Sequence, residues 1–458
     1  MTTEENLQKI RIGKPYRTEK VSGLENYLDI SLRAEKFIAK YSHKDSDGIF
    51  WKKEGATWSM IGEQEVDQSF YSGTSGILYY YLKLWETTRE EKFLHILKEG
   101  TGYLAVHWKE YFEQSPIFGM KEMDDGLYMG VGGIGLVFSE IYRSIQDENA
   151  KQGAMEIESY YINSVKHDEN GAFWTGSPAI AMDGGVILLL LHLYRQFGRE
   201  ETKKVLLEAA ERYIKQGIPT EKGGLEFRGW PGPGTRPNYE FGSAGAGYLL
   251  TLLYEFTKDE KYLDAAIRCT VYLSEIRIQQ EKGYLIPYDT EADTPFYFLS
   301  SCHGVGGNAK LYYKLYQITG KQQYLDEINA MIDGIESMRA PEKQSVGLWN
   351  TQCFCCGHAG MLQFFLGLYE SVGEPRYLDL ARRTAAVLMG ERKDQEDGTT
   401  LWSMAFWRVK PDFLTVDLGY YDGIAGIASV LLQMYLAESK QFHWNRLPDD
   451  PFAESGKE

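Results

Sequence analysis

The chain predicts an all-α protein, an (α/α)7 toroid of seven inner and seven outer helices, on three observations. Glycine is frequent, 47 of 458 residues, and it recurs at regular places. Seven segments open on a Gly-x-x-Gly pattern, one of them lacking its first glycine, and continue as an apolar run. Between these runs lie charged segments whose apolar residues return at helical spacing. A unit repeated seven times calls for a repeat architecture, because no single helical hairpin can bury its own apolar face.

The elements follow in order. Residues 1–44 read as an N-terminal extension and the first outer helix. The toroid spans 45–438, and 439–458 form a polar C-terminal tail. The inner helices begin at Gly73-Thr-Ser-Gly76, Gly130-Val-Gly-Gly133, Met182-Asp-Gly-Gly185, Gly242-Ser-Ala-Gly245, Gly304-Val-Gly-Gly307, Gly357-His-Ala-Gly360 and Gly423-Ile-Ala-Gly426. Their second glycines stand 57, 52, 60, 62, 53 and 66 residues apart, and nine residues after each comes an aromatic, from Trp85 to Tyr435. The run Gly185 to Tyr194 is apolar almost all round, which marks a helix buried on every side. Lys203–Lys215, Asp259–Glu275, Lys321–Met338 and Glu374–Met389 alternate charge with apolar residues and read as outer helices with one wet face. Glycine-aromatic steps such as Gly48-Ile-Phe-Trp51 and Gly171-Ala-Phe-Trp174 mark extended turns leading to the next inner helix. Small residues at every inner-helix start favour a closed ring, since they let helix ends crowd around a narrow axis.

Composition limits the function. With 49 Lys+Arg against 65 Asp+Glu the formal charge is −16, which argues against nucleic acid and anionic lipid, whose phosphates are neutralised by basic side chains. No stretch is long and apolar enough to span a bilayer, and the first 29 residues lack a signal-peptide core. The expected compartment is the cytoplasm. Five cysteines are too few for a disulfide scaffold, and four of them fall between Cys302 and Cys356.

If the inner helices start at one end of the ring, the residues just before them share a mouth. One such position holds Tyr71, Tyr128, Ile180, Glu240, Cys302, Cys355 and Tyr421 in turn; the next holds Ser72, Met129, Ala181, Phe241, His303, Cys356 and Asp422. Soft and titratable groups therefore gather on repeats five to seven. Cys302, Cys355 and Cys356 come from equivalent places on adjacent repeats. Three thiolates suit Zn²⁺ and leave a fourth position for water or substrate, whereas buried inert cysteines are the plainer reading. Cys353 is a possible substitute ligand, and Cys269 belongs to the core of an outer helix. His303, beside a ligand, is the first candidate for moving a proton; His358 and Asp422 are the second and third, although a hydrogen bond or helix cap explains each as well. Glu240 and Asp183 read as caps. The segment Gly229 to Arg236 reads as a surface excursion that also touches substrate.

Ser301-Cys302-His303-Gly304 and Cys355-Cys356-Gly357-His358, on this sevenfold framework, resemble the lanthionine synthetase C-like family of lanthipeptide cyclases and their stand-alone relatives. The resemblance covers nearly the whole chain. It implies a toroid with a central zinc, with ligands falling on Cys302, Cys355 and Cys356, the last where histidine is commoner. It further implies Michael addition of a peptide cysteine to dehydroalanine or dehydrobutyrine in a dehydrated precursor peptide, with a dehydratase and a transporter as possible partners. Two departures stand out: Phe241 and Phe298 occupy places where active cyclases usually carry histidine and arginine. No counterpart to a family aspartate appears around Pro178 to Ala181. The alternatives are a diverged member that binds zinc and peptide without cyclising, one that adds another thiol, or a carbohydrate-active toroid using Glu240 and Asp422. The last does not explain the paired cysteines.

Overall fold

The computed structural model describes residues 15–21, 23, 25–52, 66–113, 120–345, 347–349, 351–405, 413–441 and 447–453. The outermost parts of the N-terminal extension and C-terminal tail lie outside these. The inner helices are α2 (Thr74–Thr88), α4 (Val131–Ile145), α6 (Asp183–Phe197), α8 (Ser243–Thr257), α10 (Val305–Thr319), α12 (His358–Val372) and α14 (Ile424–Glu438). The outer helices are α1 (Glu25–Ala39), α3 (Glu91–His107), α5 (Glu148–Ser164), α7 (Glu200–Ile214), α9 (Glu260–Ile276), α11 (Gln323–Ser337) and α13 (Pro375–Glu391). Each inner helix packs on the next and α14 returns to α2, while α1 packs outside α14 and completes the outer layer. The fold is the predicted toroid, and its N-terminal helix is part of the ring.

The glycine pattern has two physical causes. Each first glycine lies under the loop that leads to its own helix: a Cβ at Gly73, Gly130, Gly242, Gly357 or Gly423 would strike the carbonyl of the residue six positions earlier. The second glycines face the neighbouring repeat. A Cβ at Gly133 would meet Phe70, at Gly185 Leu127, at Gly245 Ile180 and at Gly307 Tyr239. The series continues with Gly360 against Ser300, Gly426 against Phe354 and Gly76 against Tyr420, which closes the circle. The second glycine therefore serves both its own loop, as at Gly245 beneath the Tyr239 carbonyl, and the contact with the neighbouring repeat, while the first serves its own loop.

The recurring aromatic marks the last helical turn. Arg89, Gln146, Gly198, Lys258, Gly320 and Gly373 are left-handed, and each donates its N–H to the carbonyl of that aromatic four residues back. Such an ending satisfies carbonyls the helix itself leaves open. The glycine-aromatic turns are short antiparallel ribbons between an outer helix and the next inner one, as in Ser42–Lys44 with Ile49–Trp51 and Lys166–Asp168 with Gly171–Phe173. Among the described residues no helix is long and apolar enough to cross a membrane.

Candidate metal centre

Backbone hydrogen bonds tie the repeats together at the mouth. Tyr71 N–H donates to Tyr128 O at 3.0 Å, Tyr421 to Tyr71 at 2.9 Å, Cys355 to Tyr421 at 2.9 Å and Cys302 to Cys355 at 3.3 Å. Glu240 then donates to Cys302 at 2.9 Å and Ala181 to Glu240 at 3.4 Å. This ladder, shifted by one residue at Ala181, places the same register position of repeats one, two, four, five, six and seven side by side. Two further links hold the fifth and sixth repeats together. Tyr297–Phe298 pairs in parallel with Leu348–Trp349, and the Ser300 hydroxyl donates to Phe354 O at 3.1 Å.

The sulfurs of Cys302, Cys355 and Cys356 consequently meet. Cys302 Sγ lies 3.4 Å from Cys356 Sγ, and Cys356 Sγ 3.5 Å from Cys355 Sγ; all three lie within 4.8 Å of one another and none is in a disulfide. A tetrahedral ion with metal–sulfur bonds of about 2.3 Å needs sulfurs about 3.8 Å apart, so the trio is spaced for one. Cys302 and Cys355 are each 5% exposed and Cys356 is more open, which leaves access from the mouth.

The three thiols shift in opposite directions. Hydrogen bonds from Cys302, then Cys356, and also from Tyr71 pull the Cys355 thiol well below its ordinary value. Burial pushes Cys302 up, and hydrogen bonding with Cys302 pushes Cys356 up. Burial, then the nearby Cys355 charge, raises Glu240 to about 8. Burial and the thiols' own hydrogen bonds thus oppose ionising all three together, and a bound cation would relieve that. The donor set and spacing fit zinc.

The remaining sequence candidates separate. His303 lies in an aromatic enclosure: Phe241 stacks on it with centroids 5.7 Å apart, Tyr288 meets it edge-on at 4.7 Å and Phe298 at 5.4 Å. His358, one residue after its helix-start glycine rather than one before, points elsewhere. Its Nδ1 lies 2.6 Å from Thr351 O and its Nε2 2.8 Å from Pro341 O. A ring held so offers no nitrogen to the sulfurs; it anchors the loop that carries Cys355 and Cys356. Asp422 is buried at the α14–α2 joint, where the Ser72 hydroxyl donates to it. Cys353 hydrogen bonds with Thr351 Oγ1 at 3.0 Å and stays outside the trio. Cys269 is buried in α9. Asp183 grips the preceding loop, accepting from the N–H groups of Trp174 at 3.3 Å, Thr175 at 2.7 Å and Gly176 at 3.0 Å.

Tyr71 is the site residue that the sequence reading left without a role. Its register position pointed to the mouth, but only folding brings its hydroxyl to Cys355. The Gly229–Arg236 excursion is built into the same wall. Arg236 pairs with Asp289 and stacks over Tyr288 at 4.3 Å, while Trp230 meets Phe241 edge-on at 4.8 Å.

The family described as lanthionine synthetase C-like protein matches residues 64–447. Among solved structures, nisin cyclase superposes with a TM-score of 0.62 at 14% identity, covering 88% of this chain and 94% of that one. The cellobiose 2-epimerase of Bacillus thermoamylovorans B4167 gives 0.43 at 13% identity, over 69% and 87% of the two chains. That of Spirochaeta thermophila DSM 6192 gives 0.45 at 16%, over 67% and 85%. Among curated proteins no relative matches.

Proposed function

We propose that this chain, which belongs to the lanthionine synthetase C-like family, is a zinc-dependent cyclase that joins peptide cysteine thiols to dehydroalanine or dehydrobutyrine as (methyl)lanthionine thioethers. The carrying observation is the convergence of the Cys302, Cys355 and Cys356 sulfurs within 4.8 Å of one another. When bound there, zinc supplies the positive charge that keeps a substrate thiol ionised near neutral pH. Cys302, Cys355 and Cys356 would hold it, a three-thiolate donor set of the kind that suits zinc.

The rest falls to side chains. In the addition an S–H bond breaks, an S–Cβ bond forms, the C=C π bond opens and Cα gains the proton, so the peptide keeps its mass. His303 accepts the thiol proton at a ring nitrogen and returns it to Cα, the part a general acid–base plays. Phe241, Tyr288 and Phe298 enclose that ring and keep water from competing for the proton. The Tyr71 hydroxyl steadies Cys355. His358 and Asp422 act as positioning groups, holding the cysteine loop and the α14–α2 joint. A dehydrated precursor peptide as substrate, a dehydratase and a transporter as partners, and the cytoplasm as compartment belong to the same reading.

The test is incubation of zinc-loaded protein with a dehydrated, cysteine-containing peptide. Free thiol should disappear while the peptide mass stays constant. Thiol that persists beside retained zinc overturns the cyclase and leaves a second reading, favoured by Phe241 and Phe298: a diverged member that binds zinc and peptide without cyclising. A mass gain equal to an added external thiol would identify the variant that transfers another thiol.

A further inference from the structure

The polar tail expected after residue 439 returns to the interior of the ring. Leu447 and Phe452 are 4% and 2% exposed and Asp449 only 1%. A carboxylate that deep must be paired. Lys310 on α10, itself 8% exposed, donates to Asp449 Oδ2 at 2.6 Å. The Tyr128 hydroxyl donates to Oδ1. The following residues are gripped as well: Gln363 on α12 donates to Asp450 at 2.7 Å and Gln317 to Pro451 O at 3.2 Å. Phe452 packs on Tyr313 and Phe364 with centroids 4.9 and 5.2 Å apart. These partners come from the second, fifth and sixth repeats, so the segment bridges the ring from within. Between it and Ser301 and Phe354, each next to a cysteine of the trio, remains a cavity of 20 Å³, room for about one water.

We propose that residues 447–453 are an intramolecular ligand of the ring. Lys310 and the Tyr128 hydroxyl form a carboxylate-binding site, Asp449 fills it, and the filled site closes the axis beneath the cysteine loops so that the thiol site opens at one end only. The inference stands apart from the cyclase reading, since none of these residues touches the sulfurs.

Acetate is the probe. In the full-length Asp449→Gly variant it should raise the thermal midpoint relative to chloride at equal pH and ionic strength. It should have no such effect on the parent protein or on Asp449→Gly combined with Lys310→Met. Amides of 447–453 should exchange hydrogen about tenfold faster in Asp449→Gly and in Lys310→Met, with α8 and α12 unchanged. An acetate effect equal in all three proteins, tail exchange that does not change, or exchange that rises equally throughout the ring overturns the proposal. Should Asp449→Gly not fold, Tyr128→Phe removes a single hydroxyl. A rise in exchange confined to 447–453 is then expected, and its absence overturns the proposal too.

Discussion

The arc formed by repeats five and six and the arc formed by repeats two and three have the same backbone and different chemistry. Both start 15-residue inner helices with a buried first turn, on an extended glycine at Gly130, Gly304 and Gly357 and on the non-extended Met182 in the third repeat. At the shared register position one arc offers Cys302 and Cys355, the other Tyr128 and Ile180. The glycine contacts that close the ring run through both arcs alike. Position is thus supplied by the repeat, and reactivity by a few side chains that the repeat does not specify. Away from the mouth the second arc turns polar groups on itself: Asp183 holds a loop, and the Tyr160 hydroxyl donates to Asp125 at 2.8 Å.

The two arcs should differ most at the sulfurs. Cys302→Ala or Cys356→Ala should take the purified protein from about one zinc per chain to almost none, read by elemental analysis, while Cys353→Ala should keep its metal. Zinc retained in Cys302→Ala would mean that the two arcs do not differ as described.

A smaller effect sharpens the contrast within the first arc. His303→Phe should lower the rate of thiol loss by about a hundredfold with zinc content unchanged, the usual scale for losing a general acid–base. His358→Phe should act on stability instead, lowering the thermal midpoint because the hydrogen bond the ring donates to one of the two carbonyls facing it is lost. Equal rate losses in both variants, corrected for folded fraction, would contradict the separate placements of the two rings.

The smallest effect lies in the second arc. Burial raises Asp124, just before α4, to about 6. A raised carboxyl favours the folded state while protonated, so its contribution is fully present below about pH 4 and is lost as pH rises through about 6. Asp124→Asn should remove that slope, worth about 1–2 kcal/mol, when thermal midpoints of the two proteins are compared between pH 4 and 7. An unchanged difference across that range would show the carboxyl titrating normally.

Much of this was legible in the chain. Helices, their boundaries and their sevenfold order follow from local rules, because a glycine beneath a loop carbonyl and an aromatic at the last turn act within one repeat. The cysteine trio was legible through register alone, since equivalent residues of adjacent repeats have to be neighbours in a closed ring. The direction of His358 was not. It stands one residue from Gly357, as His303 does from Gly304, yet on the helical side of that glycine, and this turns the ring toward carbonyls contributed by Pro341 and Thr351. Tyr71 reaches Cys355 across the junction of the first and sixth repeats by way of the seventh, a path with no trace in local spacing.

The chain alone fixed the repeat, the register of the three clustered cysteines and the apolar residues at Phe241 and Phe298, because each is written in spacing or residue type. Only the tertiary structure decided which side chains share a space: the enclosure of His303, the hydroxyl of Tyr71 beside Cys355, and Asp449 buried against Lys310. Such contacts join residues tens to hundreds of positions apart, and closing the ring is what brings them within a few ångströms. Burial then raises the stakes of each polar pairing, since a charge removed from water must find its partner inside.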